Sequence, residues 1–180
     1  MQEEKAPKLK ICLVGDGGVG KTSLIRRYVF DQFSDEYIVT LGTKVTKKDM
    51  KIIHPTKGEI DVRLLIWDII GQQGFHQLLK DAYFAGTQGI IGTCDITRRN
   101  TFSGLETWVD TSQGITGEIP MVFVGNKCDL EDSREVEFEA IKAYAQRFEN
   151  CEAFLSSAKM GTNVEKAFKT IGEMIIKDMD

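Results

Sequence analysis

Short apolar runs alternate along this chain with longer stretches of helical spacing. "LKICLV" (9–14), "VRLLIW" (62–67), "GIIGTC" (89–94), "PMVFVG" (120–125) and "CEAFLS" (151–156) read as strands. Most lack an alternating polar face, as strands covered on both sides of a parallel sheet do. Helices are expected between them over 21–30, 74–85, 101–113, 134–148 and 163–178. In "REVEFEAIKAYAQRF", Val136, Ile141, Tyr144, Ala145 and Phe148 approximate one helical face; in "NVEKAFKTIGEMIIK", Val164, Phe168, Ile171 and Ile175 do the same. Strands alternating with helices predict an α/β fold with helices on both faces of a mainly parallel sheet. One region departs from this rhythm. "KVTKKDMKIIHPTKGEIDVRLLIW" contains two strand-like runs joined only by "HPTKG", too short for a parallel crossover. A hairpin follows, giving a six-stranded mixed sheet with one antiparallel edge strand.

Composition narrows the class. The chain has 180 residues, 42% hydrophobic and 28% charged, which suits one globular domain. A flexible segment over 1–8 and a single domain over 9–180 are expected, with no linker or repeat between. A net charge of −4 argues against a nucleic-acid partner. No apolar run is long enough to span a bilayer, so a cytoplasmic protein is expected. Cys12, Cys94, Cys128 and Cys151 lie far apart without metal-ligand spacing. Cys12 and Cys94 fall in strand runs and read as small core residues.

The chemistry begins at "VGDGGVGKTS" (14–23), four glycines in six positions before a lysine and two hydroxyls. Gly15, Gly17 and Gly20 fit the GxGxxG dinucleotide fingerprint. Its ribose-binding acid should then end a second parallel strand. Asp35 and Glu36 stand instead in the polar "DQFSDEY", so that reading is set aside. GxxxxGK[ST] is met by Gly15, Gly20, Lys21 and Thr22 directly after a strand run. Here Gly17, Gly18, Val19 and Gly20 present backbone N–H groups to phosphate, and the following helix N-terminus adds its dipole. Lys21 supplies a cation and Thr22 a hydroxyl for Mg²⁺. The fold expected is therefore that of a P-loop NTPase. The base is read later, by "VGNKCDL" (124–130). The Asp129 carboxylate suits the adjacent N1–H and 2-amino donors of guanine, a pair adenine lacks; it is expected to be buried. Asn126 is placed to brace the loops and Lys127 to lie over the purine.

With these motifs in order, together with "YIVTLG", "WDIIGQ" and "SSAK", residues 9 to about 177 resemble a Ras-superfamily small GTPase. "YIVTLG" and "SAKMGTNVEKAF" point to the Rab and Ran branches, and "DAYFAGTQGII" looks Rab-like. The resemblance implies that Thr22 and Thr40 ligate Mg²⁺, with Asp68 acting through water. It gives the Gly71 amide to the γ-phosphate and Gln72 to the attacking water, so that Lys21, Gly71 and Gln72 form the catalytic set. Ser23 joins the phosphate site. Phe33 meets the guanine edge, Tyr37 covers the phosphates, and Ser157, Ala158 and Lys159 complete the base site, the Ala158 amide reaching the guanine carbonyl oxygen. Segments 33–43 and 69–80 would be switches that report GTP or GDP to effector, exchange and activating proteins. A monomer is expected. Rab proteins carry lipidated tails, so membrane attachment is unsupported in this chain.

Two positions depart from the family. Ile70 replaces the usual alanine before Gly71, adding a β-branched side chain where overpacking typically costs about 1–3 kcal/mol. Gln73 stands in place of a common glutamate, which puts the usual exchange route in question. The expected activity is slow GTP hydrolysis. The alternative is a guanine-nucleotide-binding module that Ile70 leaves nearly inactive, and a P-loop ATPase is a more distant one. Lys44, Lys47, Lys48 and Lys51 crowd the outer hairpin strand, where charge blunts edge pairing. Trp67 and Tyr83 read either as an aromatic partner patch or as core.

Overall fold

The computed structural model describes residues 5–36, 43–71 and 73–179, apart from the side chains of 73–78. Six strands, β1 (Lys8–Val14), β2 (Lys44–His54), β3 (Gly58–Asp68), β4 (Gly89–Asp95), β5 (Met121–Asn126) and β6 (Cys151–Leu155), form one sheet in the order β2-β3-β1-β4-β5-β6. Every pairing is parallel except β2 with β3. The hairpin expected from "HPTKG" is present: His54 pairs with Gly58, and the register runs to Lys44 opposite Asp68. His54 Nδ1 accepts from the Thr56 and Lys57 N–H groups, satisfying two donors of the turn. The four lysines do lie on the outermost strand, and Lys51 pairs with Glu59 across the hairpin at 3.0 Å.

Helices α1 (Lys21–Phe30) and α6 (Val164–Met179) cover one face. The other is covered by α2 (Gln73–Phe84), α3 (Arg99–Ser103), α4 (Leu105–Thr116) and α5 (Phe138–Ala145). Side-chain alternation along the strands divides the core accordingly. Leu9, Ile11 and Leu13 of β1 pack with Phe168 and Ile171, whereas Cys12 and Val14 pack with Phe84 and Trp108. Cys12 and Cys94 are fully buried, as their positions in strand runs suggest, and all four cysteines are free.

Three expectations need correction. The helix expected over 101–113 starts at Arg99, ends at Thr116 and is interrupted at Gly104. The interruption is slight, because Gly104 N–H still bonds Asn100 O and Gly104 O accepts from Trp108 N–H. It occurs where the helix passes against Asp16: a Cβ on Gly104 would lie 2.6 Å from Asp16 Oδ2. The helix expected over 134–148 is only Phe138–Ala145. Glu135 and Val136 N–H groups both bond Ile96 O, so that stretch is tied to the loop after β4 and cannot coil. At the amino end, β1 already begins at Lys8, and Pro7 O accepts from Arg63 N–H at 2.9 Å.

Parallel strands bring five chain segments to one edge. The loops leaving the carboxyl ends of β1, β3, β4, β5 and β6 converge where strand order reverses about β1, the place where open α/β sheets hold ligands.

Candidate functional site

A cavity of about 460 Å³ opens at that edge, a volume suited to a small-molecule ligand. Its wall includes Gly17, Gly18, Gly20, Lys21, Thr22 and Ser23 from the loop after β1 and the start of α1, and Asp68, Ile70 and Gly71 after β3. Phe33, Asn126, Lys127, Asp129, Ala158 and Lys159 complete the sequence-derived set. Gly15, Val19 and Ser157 are not on the wall: Val19 and Ser157 are fully buried, and Gly15 and Val19 contribute carbonyls to the loop's internal bonding. Tyr37, Thr40 and Gln72 lie outside the described residues. Arg26, Gln32, Ser34, Asp35, Glu36, Lys44 and Leu130 also line the cavity; Arg26 and Gln32 stand outside every motif read from the sequence, and the sequence reading assigns the others no part in binding.

The glycine-rich loop is built for an anion. Gly20, the residue before α1, has φ 102, and a Cβ there would strike the Asn126 side chain, so only glycine fits. No side chain caps the helix and no acid sits in its first turn. Its N–H groups and positive dipole end therefore face the cavity. Lys21 is buried and donates to Gly15 O at 2.6 Å and to Asp16 O at 3.2 Å. Burial pushes its pKa down to about 8 against the pull of Asp68 and Asp16, with Arg98 adding to the depression.

A pH dependence follows from this lysine. Between about pH 8 and its ordinary value of 10.5 the unfolded chain binds more protons, so the stability of the ligand-free protein should rise with pH across that window. Phosphate at the loop favours the charged form. Binding of a phosphate ligand should therefore be accompanied by proton uptake near pH 8, diminishing as the pH falls below it. Calorimetric titration in two buffers of different ionisation enthalpy reads this directly. Zero uptake at pH 8 would mean that Lys21 is already fully charged.

Thr22 Oγ1 donates to Asp68 Oδ2 at 2.5 Å, bringing a hydroxyl and a carboxylate together on the wall beside the loop. These are hard oxygen donors, and with phosphate oxygens they suit Mg²⁺. Gly71 lies directly on the loop. Its carbonyl accepts from Gly17 N–H at 3.1 Å, and a Cβ on it would meet Gly17 N at 2.5 Å and Gly17 Cα at 2.7 Å. Ile70, next to it, is buried in the same wall.

At the other end, Asn126 ties three segments together. Its Nδ2 donates to Val19 O at 2.9 Å, while Oδ1 accepts from Ser156 Oγ and, at 3.3 Å, from Ala158 N–H. Asp129, expected to be buried, is exposed. The left-handed Lys127 (φ 67) turns the chain outward after β5 and carries Asp129 to the cavity rim. Ser157 Oγ fixes its Oδ1 at 2.6 Å.

The sequence reading missed how the loop is held from behind. Asp95, fully buried at the end of β4, accepts from Lys127 Nζ at 2.8 Å and Arg98 Nε at 3.2 Å. Those cations also donate to the loop, Lys127 to Gly18 O and Arg98 to Gly17 O. Burial pushes the Asp95 carboxyl up, but the bonds from Lys127 and Thr97 outweigh it and hold the group below its ordinary value. Trp108 Nε1 donates to Asp16 Oδ1 at 3.0 Å. Trp67 is half-buried under the Lys10 ammonium, 3.9 Å from its ring centre, and Tyr83 is core.

Comparisons with known proteins agree with this arrangement. Residues 10–177 match the model of the Ras family. The GTP-binding protein YPT1 of Saccharomyces cerevisiae is 35% identical over 99% of this chain and 84% of its own length. The Ras-related protein RIC1 of Oryza sativa subsp. japonica is 37% identical over 90% of this chain and 77% of its own, and the Ras-related protein Rab-31 of Rattus norvegicus is 36% identical over 93% and 83%. Sheet order, glycine-rich loop and these relatives agree, and the chain belongs to the Ras family of small GTPases, on its Rab branch.

Proposed function

We propose that this protein is a guanine-nucleotide switch that hydrolyses GTP slowly with Mg²⁺ and signals the bound nucleotide through two segments, about 33–43 and 69–80. The observation that carries the reading is a single cavity with Lys21 and Thr22 at one end and Asp129 and Ala158 at the other. That is the division of labour a nucleoside phosphate needs. Asp129 accepts the guanine N1–H and 2-amino donors, the Ala158 amide meets the 6-oxo oxygen, and Lys127, Lys159 and Phe33 enclose the ring. Ser157 and Asn126 hold these groups in place. Lys21 leaves its loop carbonyls for the β- and γ-phosphates, joined by the N–H groups of Gly18, Gly20, Thr22 and Ser23.

Thr22, Thr40 and Asp68 would hold Mg²⁺, which supplies charge neutralisation to the transferring phosphoryl group. Gln72 orients the attacking water and Tyr37 covers the phosphates. Gly71 turns its amide to the γ-phosphate while its carbonyl rests on Gly17, coupling the second segment to the loop. Positioning does most of this work, and residues 37–42 contain no arginine to stabilise the developing charge. Intrinsic turnover is therefore slow, and an activating protein's arginine raises it by roughly 10³–10⁵-fold. Effector, exchange and activating proteins read the two segments and the hairpin between them; Gln73 alters the surface that exchange factors meet. The chain acts as a monomer, without nucleic acid.

The buried place of Ile70 in the wall favours one second reading, a nucleotide-binding module whose hydrolysis is blocked by that side chain. Single-turnover GTP hydrolysis separates the two. Slow hydrolysis that Gln72→Leu lowers at least tenfold is expected of a working switch. No turnover in the wild type, restored by Ile70→Ala, would establish the blocked module instead.

A further inference from the structure

Arg27 stands in the last turn of α1, far from the glycine-rich loop at that helix's start. Its guanidinium donates twice to the loop after β6: Nε to Ala158 O at 2.7 Å and Nη2 to Lys159 O at 2.6 Å. Nη1 pairs with Asp31 at 3.0 Å. A guanidinium delivers two parallel donors in one rigid plane, so it holds two successive carbonyls in a fixed relative geometry that a rotating lysine ammonium does not impose. The side chain is 22% exposed and the Asp31 carboxylate 90% exposed, so the contacts to the loop are the sheltered part of this network.

The rest of the loop is fixed from other directions. Ser156 N–H bonds Gly125 O, Ser157 N–H bonds Thr162 O, and Met160 N–H bonds Ser157 Oγ. Between these anchors the plane following Ala158 has Arg27 as its tie. Among the described residues, the Ala158 N–H bonds Asn126 Oδ1 alone, at a long 3.3 Å. That amide shares its peptide plane with Ser157 O, which accepts from Gly161 N–H at 2.8 Å, and its remaining freedom is set by the next plane, the one Arg27 holds.

We propose that Arg27 is a positioning residue for base recognition, holding the Ala158 amide at the 6-oxo oxygen of guanine and tying it to the helix whose other end binds phosphate. The proposal rests on the guanine reading above. It predicts a selective loss: removing Arg27 weakens the contact to that oxygen and leaves the contact to the 2-amino group, made by Asp129, in place.

Three diphosphates on each protein test it. GDP has both groups, inosine diphosphate keeps the oxygen and N1–H and lacks the 2-amino group, and the diphosphate of 2-aminopurine riboside keeps the amino group and lacks the oxygen together with the N1–H, so each ligand is compared only with itself across the two proteins. Arg27→Ala should weaken GDP and inosine diphosphate by the same factor, roughly tenfold, and the 2-aminopurine nucleotide by less than about twofold. Arg27→Lys, whose ammonium lacks the planar fork that holds both carbonyls in register, should recover little of the loss. The readout is a comparison of ligands on one preparation, so a lowered folded fraction cancels. Equal weakening of all three ligands, or of none, overturns the proposal. A wild type that does not favour GDP over the 2-aminopurine nucleotide overturns the guanine reading itself, and the proposal with it.

Discussion

Replacing Asp129 with alanine should remove the preference for guanine, weakening GDP binding by roughly 10²–10⁴-fold while leaving ADP binding within about threefold. The argument is one of unmatched donors. Guanine presents N1–H and the 2-amino group side by side, and the carboxylate accepts from both in charge-assisted bonds that typically contribute about 1.5–3 kcal/mol each. Ser157 Oγ already fixes Oδ1 at 2.6 Å, so little ordering remains when the base arrives. Asp129 is exposed at the rim and gives up water on binding, which places the expected loss below that of a fully enclosed carboxylate. Adenine makes neither bond, so its affinity has nothing to lose. Titration of both nucleotides against both proteins measures the four affinities required. Equal weakening of GDP and ADP would show that Asp129 supports the loop and does not read the base.

The second large effect is expected at Gly71. A methyl group there would lie 2.5 Å from Gly17 N, 2.7 Å from Gly17 Cα and 2.8 Å from Asp16 C. These are backbone atoms of a loop held from behind by Arg98, Lys127 and Trp108, so they cannot give way as a flexible side chain would. Gly71→Ala must therefore break the bond from Gly17 N–H and lift the segment that leads directly into Gln72. Misplacement of a positioning group by about 1 Å is enough for a 10²-fold loss, and hydrolysis should fall by at least that much. GDP release should change by less than about threefold, since Lys21 and Asp129 keep their places. Single-turnover hydrolysis and GDP dissociation, measured on one preparation, check both halves. A parallel loss of GDP affinity would mean that the loop had yielded instead.

How far these results were legible in the sequence depends on the residue. The glycine-rich motif and the apolar spacing after it fixed α1 at Lys21–Phe30, as observed, because local motif and helix pattern coincide there. The hairpin was legible because five residues cannot carry a parallel crossover. Lys21, Thr22, Asp68, Asn126 and Asp129 share a wall because each lies at or beyond the carboxyl end of a parallel strand, a consequence of topology that sequence order already contains. The exposure of Asp129 was not legible. It depends on the left-handed backbone at Lys127, which nothing in "NKCD" announces.

Arg27, Arg98 and Trp108 were missed for a common reason. Their partners lie far away in the chain: Arg27 and Arg98 bond backbone carbonyls 131 and 81 residues distant, and Trp108 reaches Asp16 across 92. A backbone carbonyl leaves no mark in a sequence, so an arginine on a helix looks like any solvated charge. Gly104 offered a faint signal, a glycine inside a helix pattern, and the structure explains it by the approach of Asp16.

The most direct test of the central claim is a competition titration of the wild-type protein, in Mg²⁺, between a fluorescent guanine nucleotide and unlabelled GDP or ADP. Displacement by GDP at near-stoichiometric concentration, with ADP ineffective even at about 10³-fold excess, is the result expected of a guanine site built on Asp129. Displacement by ADP at concentrations comparable to GDP would contradict it, and would make this cavity a general nucleotide-phosphate site.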